Sequence, residues 1–471
     1  MRRVDPLIAL SALLYASAFL APACCHWFVF VWLIPLYGYS ITHPNRSTWT
    51  YAAQGFWWGA LFFLLHMHAL IYMLVQQAPL ISACVVSTLL ILYSCLVSAC
   101  WFAGAAWCAR HVASWRRLCL WVFATNLYIY VVDTLFFRCI CLPRGYVFAY
   151  PLVPLAQSDC WAEALRYVPH ELLVLSLSVG SACLAQGVWQ QHQRSYCFIA
   201  AGIFFAPFCG GFFVHRQSSV GEYEQHCVYA QPPAYHKQMI DVQPLTLACA
   251  INEQICRAVR LFPHAVCILF PESTFPFALD LHDDVRQLWM DNVLWHLPDV
   301  TIVMGSHHSC GIDGEERKNT LFCLQGSVIC QTYDKKTRLP FAEYMPWPWS
   351  ASRLFSEFLL KNKKIFHAPD AAARQEDRIY LAPNVAVSSY ICSDLFFNSP
   401  RPDDQADTIL WLVNDSWFIT YWRRLMFLYA RLQAQRYGRT ILYIAHEFGA
   451  CIRPNAPVCY LPSVMIPKPV N

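Results

Sequence analysis

The chain contains 471 residues, of which 57% are hydrophobic and 14% charged, and it carries a formal net charge of +4. Its mean hydropathy is +0.34. A composition this apolar excludes an ordinary soluble protein, and we expect no nucleic-acid partner. Most of the apolar excess lies in the first part of the chain.

About seven apolar stretches before residue 215 predict a membrane bundle. A helix needs about 20 residues to cross a hydrocarbon layer roughly 30 Å thick, and each stretch reaches or approaches that length. The first stretch follows two arginines and could alternatively be a signal peptide, but the later stretches favour an anchored helix. The stretches are Leu7–Pro22, Trp27–Ile41, Ala52–Val75, Leu80–Cys108, Leu118–Phe137, Leu172–Trp189 and Cys197–Val214.

Arginines in the connecting loops predict the orientation of this bundle. Seven of them fall on alternate loops, and the positive-inside rule assigns those loops to the cytoplasm. The loop between the fifth and sixth stretches also carries arginines, but it is long and contains acidic residues, and long loops weigh less. Its arginines are Arg138, Arg144 and Arg166, and its acidic residues include Asp159 and Glu163. An odd number of spans then delivers everything after Val214 to the outside, which for a bacterial inner-membrane protein is the periplasm. The seven arginines on alternate loops are Arg2, Arg3, Arg46, Arg110, Arg116, Arg117 and Arg194.

Residues 216–471 are long enough for one further domain, so we divide the chain into a bundle (1–215) and an extracytoplasmic domain (216–471). Short β-rich runs alternate there with helical patterns at Leu245–Phe262 and Trp422–Tyr437, which predicts a layered α/β fold. The β-rich runs are Cys227–Ala230, Ala265–Phe270, Thr301–Met304, Thr320–Leu324, Val328–Thr332, Val385–Ile391, Ile409–Val413 and Thr440–Ile444.

Three residues that follow strand-like runs predict the chemistry. Glu272 could take a proton from a thiol, Lys335 could face an oxyanion, and Cys392 could be the nucleophile. Singly, each has a structural explanation as a surface or core residue. Together, Glu, Lys and Cys in this order are typical of a carbon–nitrogen hydrolase site, and a thiol nucleophile on a membrane-anchored chain indicates acyl transfer involving lipid.

The 23 cysteines do not identify the nucleophile by number. No Cys-x-x-Cys pair has a matching partner, so we predict neither a metal site nor a cofactor. Cys139 with Cys141, and Cys451 with Cys459, could form disulfides in an oxidising compartment. The simpler interpretation is that most cysteines are small buried hydrophobes.

Several motifs resemble those of the apolipoprotein N-acyltransferase family, within the nitrilase superfamily. Phe270–Ser273 is similar to the family's Trp-Pro-Glu-Ser/Thr, and Tyr333–Tyr344 is similar to its Tyr-x-Lys-x-x-Leu-Val-Pro-Phe-Gly-Glu-Tyr. Val413–Phe418 is similar to its Asn-Asp-Ala/Ser-Trp-Phe. The resemblance covers nearly the whole chain, because the apolar bundle is also of family type.

The resemblance implies an αββα nitrilase-like sandwich on a membrane bundle. It implies Glu272 as general base, Lys335 as oxyanion stabiliser, Cys392 as acylated nucleophile and Glu343 as a supporting carboxylate. The implied acyl donor is a membrane phospholipid and the implied acceptor is a diacylated prolipoprotein. We expect a monomer.

Further residues are candidates for substrate binding. Pro346–Trp349 is typical of an arm at the membrane interface that gates lipid entry, although a lid packed on the domain is an equal alternative. The candidates are Ser393, Asp394, Asn414, Trp417, Trp347 and Trp349.

Departures from the family pattern leave two other hypotheses open. Cys392-Ser393-Asp394 stands where the family usually has Cys-Tyr-Glu, and Tyr443–Gly449 only partly matches its Arg-x-x-Asn-x-Gly. These changes, and the lack of a closing apolar helix after the last motif, favour a specialised relative with a different acceptor, such as those carried with conjugal-transfer systems. A non-catalytic scaffold is the third hypothesis, but the intact Glu, Lys and Cys argue against it.

Overall fold

The computed structural model describes most of the chain between residues 4 and 464. The described residues are 4–66, 68–77, 80–112, 114–139, 150–190, 194–209, 226–232, 243–292, 297, 299–310, 316–326, 328–337, 378–397, 400, 406–416, 418–454 and 456–464. They divide into a helical unit and a two-sheet unit. The helical unit contains the described residues of Met1–His215 and Phe418–Arg436, and the two-sheet unit contains the others.

Ten helices form the first part of the helical unit within the described residues. Leucine, alanine and aromatic residues fill them, as expected for helices in an apolar environment. They are α1 (Pro6–Leu20), α2 (Pro22–Cys25), α3 (Leu33–Thr42), α4 (Thr48–His66), α5 (His68–Gln77), α6 (Leu80–Ala109), α7 (Ser114–Cys139), α8 (Asp159–Tyr167), α9 (His170–Trp189) and α10 (Arg194–Cys209).

Small residues bring two of these helices into close contact. Gly55 and Gly59 lie one turn apart on α4, in the Gly-x-x-x-Gly spacing typical of membrane helix packing. A Cβ atom on Gly59 would lie 2.6 Å from the Ser94 carbonyl oxygen of α6. A larger residue at this position would therefore separate α4 from α6.

Three helical segments among the described residues are long and apolar enough to cross a membrane. They are Pro22–Thr42, Ala83–Ala109 and His170–Trp189, while Pro6–Leu20 and Cys197–Phe208 are apolar but shorter. This agrees with the predicted membrane bundle by length and composition. The count of seven spans and their orientation remain predictions.

Twelve strands in the described residues form the two-sheet unit. The first sheet has the order β12-β1-β2-β3-β4-β5 and the second has the order β11-β10-β9-β8-β7-β6. The strands are β1 (Cys227–Ala230), β2 (Cys267–Leu269), β3 (Thr301–Cys310), β4 (Glu316–Gln325), β5 (Val328–Asp334), β6 (Arg378–Ala382), β7 (Val385–Ile391), β8 (Thr408–Leu412), β9 (Thr440–Ile444), β10 (Gly449–Ile452), β11 (Cys459–Tyr460) and β12 (Ser463–Val464).

Parallel strands form one side of the first sheet and the centre of the second. β12, β1, β2 and β3 are parallel, and so are β7, β8 and β9. Antiparallel strands complete each sheet on one or both sides. Because the carboxyl ends of parallel strands meet at one edge, residues that follow β2 or β7 are brought to the ends of their sheets.

Alternating residues of the strands build two cores. Ile268 and Ile302 face helix α11 (Pro244–Leu261), where they pack against Ile251 and Ile255. The neighbouring positions, such as Leu269, belong to a core shared by both sheets. Strands buried on both faces read as continuous apolar runs, which explains the sequence pattern. The resulting helix–sheet–sheet layering agrees with the predicted α/β class.

Three more helices complete the described structure. They are α12 (Asp283–Asn292), α13 (Asp394–Phe397) and α14 (Thr420–Tyr437). Most of α14 belongs to the helical unit, where the Arg431 guanidinium donates to the carbonyl of Gln157 at 3.2 Å and the Tyr421 hydroxyl donates to the carbonyl of His66.

Candidate active site

Glu272 lies buried at the end of β2, with its carboxylate held by three donors. The backbone N–H of Asn414 donates to Oε2 at 2.8 Å, and the Asn319 amide donates to Oε1 at 2.5 Å. The Lys335 ammonium lies 3.4 Å from the same Oε1. The three donors lie in β4, directly after β5 and just after β8. Because they approach from different elements, they hold the carboxylate in one orientation.

Lys335 directly follows β5 and is also buried. Its side chain is 3% exposed and that of Glu272 is 4% exposed, so the two form an ion pair largely removed from water. The Lys335 backbone N–H donates to the Asn319 carbonyl at 2.8 Å, which extends the β4–β5 pairing by one residue. A buried charge of this kind is retained only when it has a partner of opposite sign.

The backbone around Glu272 forms a strained segment that we call the glutamate turn (Pro271–Thr274). Ser273 has a φ of 57°, in the left-handed region that residues with a Cβ rarely adopt. The turn presses against Gly305 of β3, where a Cβ atom would lie 2.6 Å from the Glu272 Cα. The sequence therefore needs glycine at position 305 for the turn to approach.

Cys392 begins the corresponding segment in the second sheet, the cysteine turn (Cys392–Asp394). Its φ of 45° is also left-handed. The Cys392 N–H donates to the Leu412 carbonyl, and its own carbonyl accepts from the Trp411 indole, each at 2.8 Å. Cys392 is partly exposed. A non-glycine residue held at such a φ costs about 1–3 kcal/mol and is typical of functional sites.

Asp394 is fully buried and ties the cysteine turn to the segment after β5. One carboxylate oxygen accepts from the backbone N–H groups of Lys336 and Thr337, at 3.0 and 2.6 Å. The other accepts from the Tyr333 hydroxyl at 3.0 Å and the Ile391 N–H at 3.2 Å. Burial raises the pKa of Asp394 to about 6, against the lowering effect of Lys335 and of these hydrogen bonds.

These contacts place two predicted substrate-binding residues inside the protein instead. Asp394 and Ser393 have no exposed surface, and the Ser393 hydroxyl donates to the Thr337 carbonyl at 2.7 Å. Both side chains hold the cysteine turn against the segment that carries Lys335. Asn414, another predicted substrate-binding residue, contacts Glu272 through its backbone N–H, which donates to the carboxylate. Its side-chain oxygen accepts from the Ser416 hydroxyl.

Glu272, Lys335 and the cysteine turn are therefore connected in one network made of hydrogen bonds and short lengths of backbone. Cys392 is bonded to Leu412, two residues before Asn414, which is bonded to Glu272. Asp394 closes the network from the other side through the residues that follow Lys335. Four of the sequence candidates, Glu343, Trp347, Trp349 and Trp417, lie outside the described residues.

Several residues around Glu272 and Asp394 carry little signal in the sequence. Asn319 lies in the polar first half of β4, before its apolar run, where one more polar residue is a weak signal. Tyr333 lies inside the Lys335 motif, yet its hydrogen bond to Asp394 spans 61 positions of sequence. His446 was noted only as a departure from the family pattern. Its ring Nε2 lies 3.1 Å from the Glu272 carbonyl oxygen.

No protein-family model matches the chain, and neither does any curated protein. Among solved structures, an amidase from Nesterenkonia sp. is 15% identical, with 52% of this chain and 94% of that chain covered and a TM-score of 0.34. A carbon–nitrogen hydrolase from Helicobacter pylori G27 is 10% identical, with coverages of 50% and 89% and a TM-score of 0.31.

A glutamine-dependent NAD+ synthetase from Acinetobacter baumannii is 17% identical, with a TM-score of 0.30. It matches over 46% of this chain, which in turn spans 40% of the synthetase.

Proposed function

We propose that the chain is a membrane-anchored acyltransferase with a cysteine nucleophile. It transfers an acyl chain from a phospholipid to the N-terminal amine of a diacylglyceryl-cysteine lipoprotein. The observation that carries this proposal is the buried Glu272–Lys335 pair, which hydrogen bonds and short lengths of backbone connect to the strained turn of Cys392. The three membrane-length helices support a substrate that lies in a bilayer.

The first half-reaction forms a thioester. Glu272 accepts the thiol proton as Cys392 Sγ attacks the ester carbonyl carbon of the phospholipid. Lys335 stabilises the oxyanion that forms, and its charge is most effective because water is excluded around it. When the ester C–O bond breaks, Glu272 returns the proton to the leaving oxygen, which gives a lysophospholipid.

The second half-reaction forms an amide. The lipoprotein α-amine attacks the thioester carbonyl carbon, and Glu272 accepts a proton from the attacking nitrogen. The C–S bond then breaks, and the sulfur of Cys392 receives that proton. A thioester is reactive enough for an amine nucleophile, and an apolar surrounding reduces competition from water.

The same proposal places the chain in a bacterial inner membrane as a monomer, with residues 216–471 in the periplasm. The support is the distribution of arginines over alternate loops together with the apolar helices. No cofactor takes part in either half-reaction. Glu343 is proposed as a carboxylate that supports Lys335.

A trapping experiment tests the function. Membranes containing the protein receive a phospholipid with a clickable acyl chain, and label on the protein is tested for release by neutral hydroxylamine. We expect a labile label that Cys392→Ala abolishes. Cys459→Ala, which removes another exposed thiol of the same unit, is the matched control and should keep the label.

Adding a diacylated lipopeptide then tests the acceptor. Loss of label with formation of a triacylated product supports lipoprotein acylation. A stable thioester that only another nucleophile discharges would favour the specialised relative with a different acceptor. Labelling that persists in Cys392→Ala would disprove the mechanism.

A further inference from the structure

His446, in the turn between β9 and β10, contacts three strand ends of the two-sheet unit. Its backbone N–H donates to Asp415 Oδ1 at 3.0 Å, just after β8. Its carbonyl accepts from the Tyr229 hydroxyl at 2.7 Å and from the Gln231 amide at 3.5 Å, both at the end of β1. Its ring Nε2 lies 3.1 Å from the carbonyl oxygen of Glu272.

The ring contact is the part of this arrangement that depends on histidine. Any residue except proline at 446 offers the N–H and the carbonyl that bind Asp415 and Tyr229. A carbonyl oxygen is only an acceptor, so Nε2 of His446 carries the hydrogen and donates to Glu272. The backbone bonds fix the position of the ring, and the ring in turn holds the glutamate turn.

The ring of His446 contacts the glutamate turn, where a small movement would change the position of the Glu272 carboxylate. Ser273 has a positive φ, and Gly305 packs against the Glu272 Cα, so the glutamate turn is a strained segment in a tight space. The Glu272 carboxylate is aligned to three donors at fixed positions. Relaxation of the turn would move that carboxylate relative to Lys335 and Asn414.

We propose that His446 is a positioning residue, which holds the glutamate turn through its ring and so orients Glu272 toward the nucleophile. This inference rests on the proposed role of Glu272 as the base for Cys392. It adds a side chain that acts through the backbone of Glu272. A misplacement of about 1 Å in such a base costs on the order of 100-fold in rate.

The test measures the rate at which iodoacetamide alkylates Cys392 in the full-length protein, followed by mass spectrometry of the Cys392 peptide. This readout needs no acyl donor, so it is independent of the substrate proposed above. His446→Phe keeps a ring of similar size without a donor, and His446→Gln keeps an N–H donor at a similar reach. We expect alkylation to slow at least about 10-fold in His446→Phe and to stay within about threefold of the wild type in His446→Gln.

His226→Ala is the matched control. The ring of His226 bonds the carbonyl of His264 at 3.1 Å, which is the same kind of contact on an exposed part of the chain. This variant should react like the wild type. Equal rates in His446→Phe and the wild type would overturn the positioning role, and so would a His446→Gln rate as low as that of His446→Phe. If the four alkylation rates follow this pattern but the wild type never forms a thioester with phospholipid, the positioning role of His446 stands. Only the proposed acyl donor is then refuted.

Discussion

The glutamate turn and the cysteine turn are built alike but held differently. Each follows a buried strand, and each contains a non-glycine residue with positive φ, Ser273 in one and Cys392 in the other. Each also includes a buried carboxylate. The carboxylate of Glu272 faces the Lys335 ammonium, whereas that of Asp394 faces backbone N–H groups and a tyrosine hydroxyl.

This difference fits the proposed function, in which Glu272 transfers protons and Asp394 supports the cysteine turn. The Lys335 ammonium lies 3.4 Å from the Glu272 carboxylate and balances its charge. Asp394 uses both oxygens to hold the chain, and no part of it is exposed.

The largest expected effect comes from Glu272→Gln. The amide keeps the size of the side chain but cannot accept the thiol proton, so formation of the Cys392 thioester should slow by about 100-fold or more. The rate of hydroxylamine-labile labelling measures this. Glu447→Gln, which removes an exposed carboxylate near the site, should leave the rate unchanged. A Glu272→Gln rate within tenfold of the wild type would assign both carboxylates to support.

Gly305→Ala tests whether the glutamate turn depends on close packing. The new Cβ would lie 2.6 Å from the Glu272 Cα and 2.7 Å from the Ser273 nitrogen, so the turn must move. We expect labelling to slow by about 10-fold or more and stability to fall by about 1–3 kcal/mol. Gly202→Ala, where a Cβ meets nothing within 4 Å, is the control for both measurements. Unchanged labelling in Gly305→Ala would show that the turn tolerates displacement.

Asp394→Asn tests the supporting carboxylate through the pH dependence of stability. The pKa of Asp394 is about 6 in the folded protein, above its usual 3.8, so the folded chain binds the proton more tightly. The contribution of this group to the free energy of unfolding is therefore full below about pH 4. It is lost as the pH rises through 6, so the free energy of unfolding falls with a slope over this range. The variant should lack this slope and lose about 1–3 kcal/mol from its broken hydrogen bonds.

Unfolding followed between pH 4 and pH 7 measures both effects. Asp334→Asn is the control. The Asp334 carboxylate lies at the end of β5 and accepts hydrogen bonds from the side chains of Lys318 and Thr320. The control should keep the slope of the wild type. A slope that persists in Asp394→Asn would belong to some other group.

The smallest effect is expected from Ser393→Ala. The variant loses one buried hydrogen bond to the Thr337 carbonyl, which costs about 1 kcal/mol. The phospholipid concentration at half-maximal labelling should not change, since the hydroxyl has no exposed surface. A rise in that concentration, absent from Ser416→Ala on the exposed loop, would restore Ser393 to the substrate pocket.

Local patterns in the sequence predicted most of the two-sheet unit. The predicted runs Cys227–Ala230, Val385–Ile391 and Thr440–Ile444 are strands with those bounds. Each is apolar and β-branched, and each is buried. The short strands β6, β10, β11 and β12 were missed, because two to five residues in a strand are stabilised mainly by their neighbours and carry little pattern of their own.

The candidate site was predictable only where a motif was local. Glu272, Lys335 and Cys392 each follow an apolar run, so the strand ends indicated them. Asn319 and His446 reach Glu272 across 47 and 174 positions, and no local pattern encodes such contacts. The role of Ser393 was also hidden, since burial depends on the whole sandwich and not on its neighbours in sequence.

The left-handed backbone at Cys392 has a consequence for how this chain evolves. Glycine adopts that φ without the steric cost that a Cβ imposes, so Cys392→Gly should make the folded protein harder to unfold. Random substitution filtered by stability alone would therefore drift toward glycine here. The proposed role of Cys392 as the nucleophile gives a reason to keep a thiol at a backbone position that favours glycine.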